Sequence, residues 1–175
     1  MKKIILTMAV VLTATFANAQ DMKFGVRGGV DMVSVKFKAG GTESLTGFFV
    51  GGFAEFEIAE GFVLQPGINY HSASKSIDDA AATPVKKATS YTLKANFISV
   101  PVLIKYAVAE KINLLAGPSL FYNTDSEATD KTTFNLDLGA SYDVTENFLI
   151  EARYSVGLSG DDKVNHLLVG VGYKF

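Results

Sequence analysis

The stretch VNHLLVGVGYKF at 164–175 decides how the rest of the chain reads. Taken at every second position, it separates into Leu167, Val169, Val171, Tyr173 and Phe175 on one side, and His166, Leu168, Gly170, Gly172 and Lys174 on the other. Alternation with a period of two marks a β-strand, whose successive side chains point to opposite faces. One face here is bulky and apolar; the other mixes glycine with His and Lys. The two faces therefore meet different surroundings.

Working back from this segment, runs at 24–33, 48–58, 62–75, 91–108, 112–123, 133–144 and 148–159 alternate in the same way, making eight with the last. In the run 91–108 the apolar parity switches near residues 97–99, which predicts a β-bulge. Pro66, Pro101 and Pro118 fall inside three of the runs. Proline has no N–H to donate, so each predicts a bulge or a missing ladder bond. Connections at 59–61, 109–111 and 145–147 are tight, whereas those at 38–46, 77–90, 125–132 and 160–163 are longer or more polar. Short turns at one end and longer loops at the other are the pattern of a transmembrane barrel, with turns periplasmic and loops outside. An even number of strands returns both barrel ends to the periplasmic side.

The 175 residues suit one domain. The chain begins MKKIILTMAVVLTATFANAQ, with Lys2 and Lys3 before an apolar stretch and Ala17-Asn18-Ala19 as a small-x-small cleavage site. This predicts a signal peptide over 1–19 and a barrel domain over 20–175. Beyond it no stretch is long and apolar enough for a transmembrane helix, so any span is made of strands. The sequence has no cysteine, which excludes disulfides and thiolate metal sites. Setting aside Lys2 and Lys3 from the 16 basic residues leaves 14 against 18 acidic ones, a net charge of −4. Nucleic acid is not an expected partner for such a balance.

Periodicity alone leaves two barrels open: a membrane barrel with its apolar face outward, and a soluble lipocalin-like barrel holding a lipophilic ligand inside. Three observations favour the membrane. Tyr70, Tyr91, Tyr106, Tyr122, Tyr142, Tyr154 and Tyr173 all lie on the apolar parity, mostly near strand ends, as an aromatic belt at two interfaces requires. The polar parity carries many glycines, which make room for long side chains inside a narrow lumen. It also carries charges of both signs, expected to pair there. The predicted lumen network is Arg27, Asp31, Glu55, Glu57, Lys105, Asp137, Glu151, Arg153 and His166. The expected fold is therefore all-β: an eight-stranded antiparallel transmembrane β-barrel in the outer membrane. Its polar lumen is filled by side chains, so a diffusive pore is not expected.

Four segments, FGVRGGVDMVSV (24–35), FISVPVLIKYAV (97–108), LLAGPSLFYN (114–123) and LVGVGYKF (168–175), resemble the small outer-membrane β-barrel family common in Bacteroidota and often called PorT-like. The resemblance covers residues 22–175 and is one of pattern, so no activity comes with it. It implies contact with outer-membrane lipid. It also implies insertion by the outer-membrane assembly machinery, which would read the C-terminal aromatics Tyr173 and Phe175.

Catalytic or metal chemistry would draw on the same residues. His71 and His166 share the lumen parity, yet neither has a histidine or carboxylate at ligand spacing along its own strand, so lumen hydrogen bonding is expected and no metal or other cofactor. A hydrolase needs nucleophile, base and acid on one face, which along a strand means positions i and i+2. Ser72 follows His71 but points to the opposite face, and His166 has Asn165 and Leu167 beside it. The acidic pairs Asp78-Asp79 and Asp161-Asp162 lack calcium-loop spacing, and Gly28-Gly29 and Gly51-Gly52 precede no helix that would make them phosphate loops. The sequence thus points to a non-enzymatic protein, structural or interacting through loops at 38–46, 77–90 and 125–132 with an envelope or extracellular partner. The alternatives are an accessory subunit of a secretion or transport assembly, or the soluble lipophilic-ligand binder.

Overall fold

The computed structural model of the chain describes residues 22–36, 41–78, 90–124, 131–159 and 163–175, with side chains for all of these but 76–78 and 90–93. The signal-peptide expectation at 1–19 lies outside the described residues, as does most of the loop sequence. Eight antiparallel strands form one closed barrel: β1 Met22–Lys36, β2 Thr42–Ala59, β3 Phe62–Asp78, β4 Ser90–Ala107, β5 Ile112–Asn123, β6 Thr132–Asp143, β7 Phe148–Gly157 and β8 Lys163–Lys174. Each strand pairs with its sequence neighbour, and β8 closes the ring on β1 through pairs such as Gly29↔Gly170 and Val30↔Val169.

The strands at the loop end run further than the sequence pattern does. β1 and β2 stay paired to Lys36↔Thr42, so 42–46, expected in a loop, belong to a strand. Past the apolar band the outward Thr42, Ser44 and Thr46 are polar while the inward Leu45 is apolar and buried, so the apolar-out, polar-in alternation no longer marks the strand. At the other end the turns are short, with Gly61 at φ 76 closing the first of them, a left-handed conformation that glycine adopts without steric cost.

The bulge expected near residues 97–99 is absent. β4 keeps one register against β3 from Phe62↔Tyr106 to Asp78↔Ser90, and one against β5 from Phe97↔Asn123 to Ala107↔Asn113. The apolar residues change face because the lumen admits aromatic rings at this height, where Phe97 packs against Phe121 and His166. Phe97 points inward and is buried, while Ile98 and Val100 point outward. Among the β2–β3 pairs a register shift occurs between Glu57 and Ala59, beside the first turn. The prolines interrupt the ladder without shifting it. Paired positions jump from Phe53↔Gly67 to Phe56↔Leu64, from Pro66↔Val102 to Asn69↔Ser99, and from Pro101↔Ser119 to Ile104↔Ala116.

The inside–outside assignment follows the sequence parity. Val26, Val30, Phe48, Val50, Ile68, Leu114, Leu138, Ile150, Val169 and Val171 form an exposed apolar band. Tyr70, Tyr106, Tyr122, Tyr142, Tyr154 and Tyr173 stand on the same outer face, and the side chain of Tyr91 lies outside the described residues. Near the turns, Phe62 stacks on Tyr106 at 4.5 Å and Tyr173 meets Phe175 edge-on at 5.4 Å, which starts an aromatic girdle at that end. The loop end of the lumen is stopped by Val33, Leu45 and Ala73, packed with Val35, Ala95 and Val164.

Candidate functional site

The chemistry-bearing side chains lie inside the barrel in three connected clusters. Nearest the short turns, Lys105 Nζ is 3.0 Å from Glu55 Oε1, which also accepts from Gln65 Nε2 at 2.9 Å. Lys174 Nζ reaches Asp143 Oδ1 at 2.9 Å, and Asn113 Nδ2 donates to the other oxygen at 3.0 Å. Glu57 does not join them. It is exposed at the rim beside the β2–β3 register shift, where it lines a cavity of about 260 Å³ with Lys23, Glu55 and Val63. Glu57 still pairs with Val63 in the unshifted register, but it is the last such pair before the turn, so its side chain opens to the rim.

The middle cluster is two cations against two carboxylates. Arg153 contacts Asp137 Oδ2 at 3.4 Å and Glu151 Oε1 at 3.2 Å, and Arg27 lies 3.6 Å from Glu151 Oε2. Asp137 also accepts from the Ser119 and Ser155 hydroxyls. Arg27 donates to Asn69 Oδ1 at 2.9 Å and Gln65 Oε1 at 3.2 Å, and its guanidinium sits 5.3 Å from the Phe53 ring centre. Glycine makes this packing feasible. A Cβ on Gly67 would lie 2.6 Å from Arg27 Nη2, and one on Gly139 would lie 2.6 Å from Arg153 Cγ.

The third cluster is one the strand-by-strand sequence reading missed. Asp31 on β1 holds both histidines: His71 Nδ1 lies 2.8 Å from Oδ2, and His166 Nδ1 lies 3.0 Å from Oδ2 and 3.2 Å from Oδ1. Ser99 Oγ is 2.8 Å from His71 Nε2 and accepts from Asn69 Nδ2 at 2.9 Å. Aromatic rings wall the group in. Phe121 stacks on His166 at 4.3 Å, Phe97 meets that ring edge-on at 5.4 Å, and Phe49 stacks on His71 at 5.9 Å. Asp31, His71, Ser99 and His166 are each no more than 1% exposed.

The order Ser99, His71, Asp31 is that of nucleophile, base and orienting acid in acyl hydrolases, at hydrogen-bonding distances throughout. The i, i+2 rule failed to find it because its members come from β4, β3 and β1. A usable signal was parity: all three residues lie on the lumen side of their strands, Ser99 opposite Asn69 and His71 opposite Phe49. The same atoms also form a metal donor set, since one ligand atom each from Asp31, His71 and His166 fall within 4.8 Å of one another.

The sequence matches the profile of the outer membrane protein beta-barrel domain over residues 17–160. The chain belongs to this family. No curated protein matches it at a significant level. Among solved structures it is similar to Ail, the attachment invasion locus protein of Yersinia pestis, at 18% identity over 89% of this chain and 100% of that one, with a TM-score of 0.59. A complex of Ail with the heparin analogue sucrose octasulfate aligns at 16% identity over 89% of this chain and 100% of that one, with a TM-score of 0.54. Neisserial surface protein A aligns at 19% identity over 87% of this chain and 97% of that one, with a TM-score of 0.58. At these identities the likeness is one of fold. Family and fold together place the protein in the outer membrane, with its apolar outer face against lipid.

Proposed function

We propose that the protein is a non-enzymatic outer-membrane barrel acting as a surface-interaction protein through the outer connections between β1 and β2, β3 and β4, and β5 and β6. The observation that carries this reading is the filled lumen. Charged and aromatic side chains occupy it, which leaves the loops as the surface available to a partner. The burial of Ser99 and His71 behind Phe49, Phe97 and Phe121 argues in the same direction, because a hydrolase must bring its substrate to the nucleophile. Ail, named for attachment and invasion, offers an example of this fold at work on a surface.

The test is cross-linking on intact cells, comparing the native protein with a variant whose residues 79–89 and 125–130 are replaced by Gly/Ser linkers. Loss of cross-linked partners, with the folded barrel still in the outer membrane, is the expected result. An unchanged, stoichiometric set of envelope proteins would overturn it in favour of a secretion or transport accessory, the role that the PorT-like resemblance suggests.

The remaining readings belong to biogenesis. Residues 1–19 act as the signal peptide, and Tyr173 and Phe175 as the C-terminal mark read by the assembly machinery. Phe175 is 72% exposed, so its ring contributes little to barrel packing. Phe175→Ser should accordingly lower the amount of protein in the outer membrane several-fold, yet leave refolding into detergent unchanged. Equal loss in both assays would make Phe175 a stability residue instead.

A further inference from the structure

We propose that Asp31, His71 and His166 form a buried binding site for a divalent transition-metal ion, with zinc as its simplest occupant. The first support is charge. Among the described residues Asp31 is the buried carboxylate that has no Lys or Arg within ion-pair distance, in a lumen where Glu55, Asp137 and Glu151 each have one. An uncompensated buried charge is costly, and two imidazoles facing it can relay a compensating cation.

The second is geometry. Two imidazole nitrogens converge on one carboxylate oxygen at 2.8 and 3.0 Å. Zinc bonds of about 2.0–2.2 Å place tetrahedral ligands about 3.3–3.6 Å apart. The site would therefore open by a few tenths of an ångström as the ion replaces the shared protons.

The third is the outer support. Metal-binding imidazoles usually donate through their second nitrogen. His71 Nε2 already has Ser99 Oγ at 2.8 Å, itself held by Asn69.

The fourth is an orphan. His166 Nε2 is buried with no hydrogen-bond partner among the described residues. While Nδ1 donates to Asp31, that nitrogen is a bare acceptor among the rings of Phe97 and Phe121. A metal on Nδ1 moves the proton to Nε2, exchanging the bare lone pair for an N–H among the same rings. Two imidazoles and one carboxylate suit zinc, copper, nickel or iron over calcium or magnesium.

The site is sealed, so loading is tested during folding. The full chain is unfolded in urea and refolded into detergent with ZnCl₂, then stripped of loosely held metal with EDTA and analysed for zinc by mass spectrometry. The expected result is one zinc per folded barrel, lost in Asp31→Asn and His71→Ala. Ser99→Ala should weaken zinc binding by about 10- to 100-fold, as removal of an outer partner does.

Cobalt refolding of His166→Cys covers the case in which an alanine variant fails to fold. A thiolate-to-cobalt charge-transfer band, absent from the wild type, is expected if residue 166 is a ligand. A folded wild-type barrel that retains no zinc would overturn the proposal. So would zinc retained equally by folded Asp31→Asn, which would identify surface carboxylates as the binders.

Discussion

Arg153→Leu should unfold in urea well before the wild-type barrel, and well before a variant lacking an exposed charge such as Lys111→Leu. Arg153 is 1% exposed and touches both Asp137 and Glu151. Leucine fills part of the space but leaves Asp137 with hydroxyl donors alone, and Glu151 with Arg27 at 3.6 Å. Removing one partner of a buried ion pair costs about 3–5 kcal/mol, because the other charge stays buried. An exposed charge contributes about 1 kcal/mol or less. Arg153→Lys should fall between the two, since an ammonium is a compact charge that cannot fork between two carboxylates. The readout is the fraction of heat-shifted, folded band on unboiled gels against urea. Superimposed curves for Arg153→Leu and Lys111→Leu would remove the inner network as a source of stability.

The second large effect is expected at the closing seam. A Cβ on Gly29 would sit 2.1 Å from the Val169 carbonyl oxygen and 2.4 Å from Gly170 Cα. Both atoms are backbone, so neither can swing aside. Gly29→Ala therefore has to pry β1 from β8, the pair that turns the sheet into a barrel. Overpacking of this kind typically costs about 1–3 kcal/mol, occasionally more. Gly52→Ala is the matched control, because its Cβ would meet only the Gly25 carbonyl oxygen at 3.6 Å. In refolding assays Gly29→Ala should yield a markedly smaller folded fraction, and Gly52→Ala should match the wild type. Equal yields would mean that the seam is far more compliant than its glycine pair suggests.

Much of this was legible in the alternation of β8, because a lipid-facing row and a lumen-facing row differ in chemistry at every step. Tyr173 and Gly172 already separate the two media. The pattern misled where the media stopped differing. At Phe97 the lumen is aromatic, so an inward phenylalanine read as an outward one and suggested a bulge. At 42–46 the outward residues are polar and the inward Leu45 is apolar, the reverse of the band, so strand read as loop. Glu57 obeyed parity but stands at a strand end, beside a register shift that parity cannot show.

The Asp31 cluster was illegible for another reason. Its members are far apart in the chain, 135 residues from Asp31 to His166 and 40 from Asp31 to His71. Only the stagger of a closed barrel sets them at one height. Pairing registers, rather than spacing along any strand, hold that information.

The central claim is that Val169, Val171 and Tyr173 face lipid while Leu168, Gly170 and Lys174 face a filled lumen. The chain has no tryptophan, so Val171→Trp introduces a single indole reporter on the outer face. The decisive measurement is its fluorescence after refolding into vesicles with brominated or ordinary acyl chains. Strong quenching by the brominated chains, in protein that still migrates as a heat-modifiable barrel, is the predicted result. Identical emission in both lipids would contradict the assignment, since the apolar face would then enclose a cavity away from the bilayer.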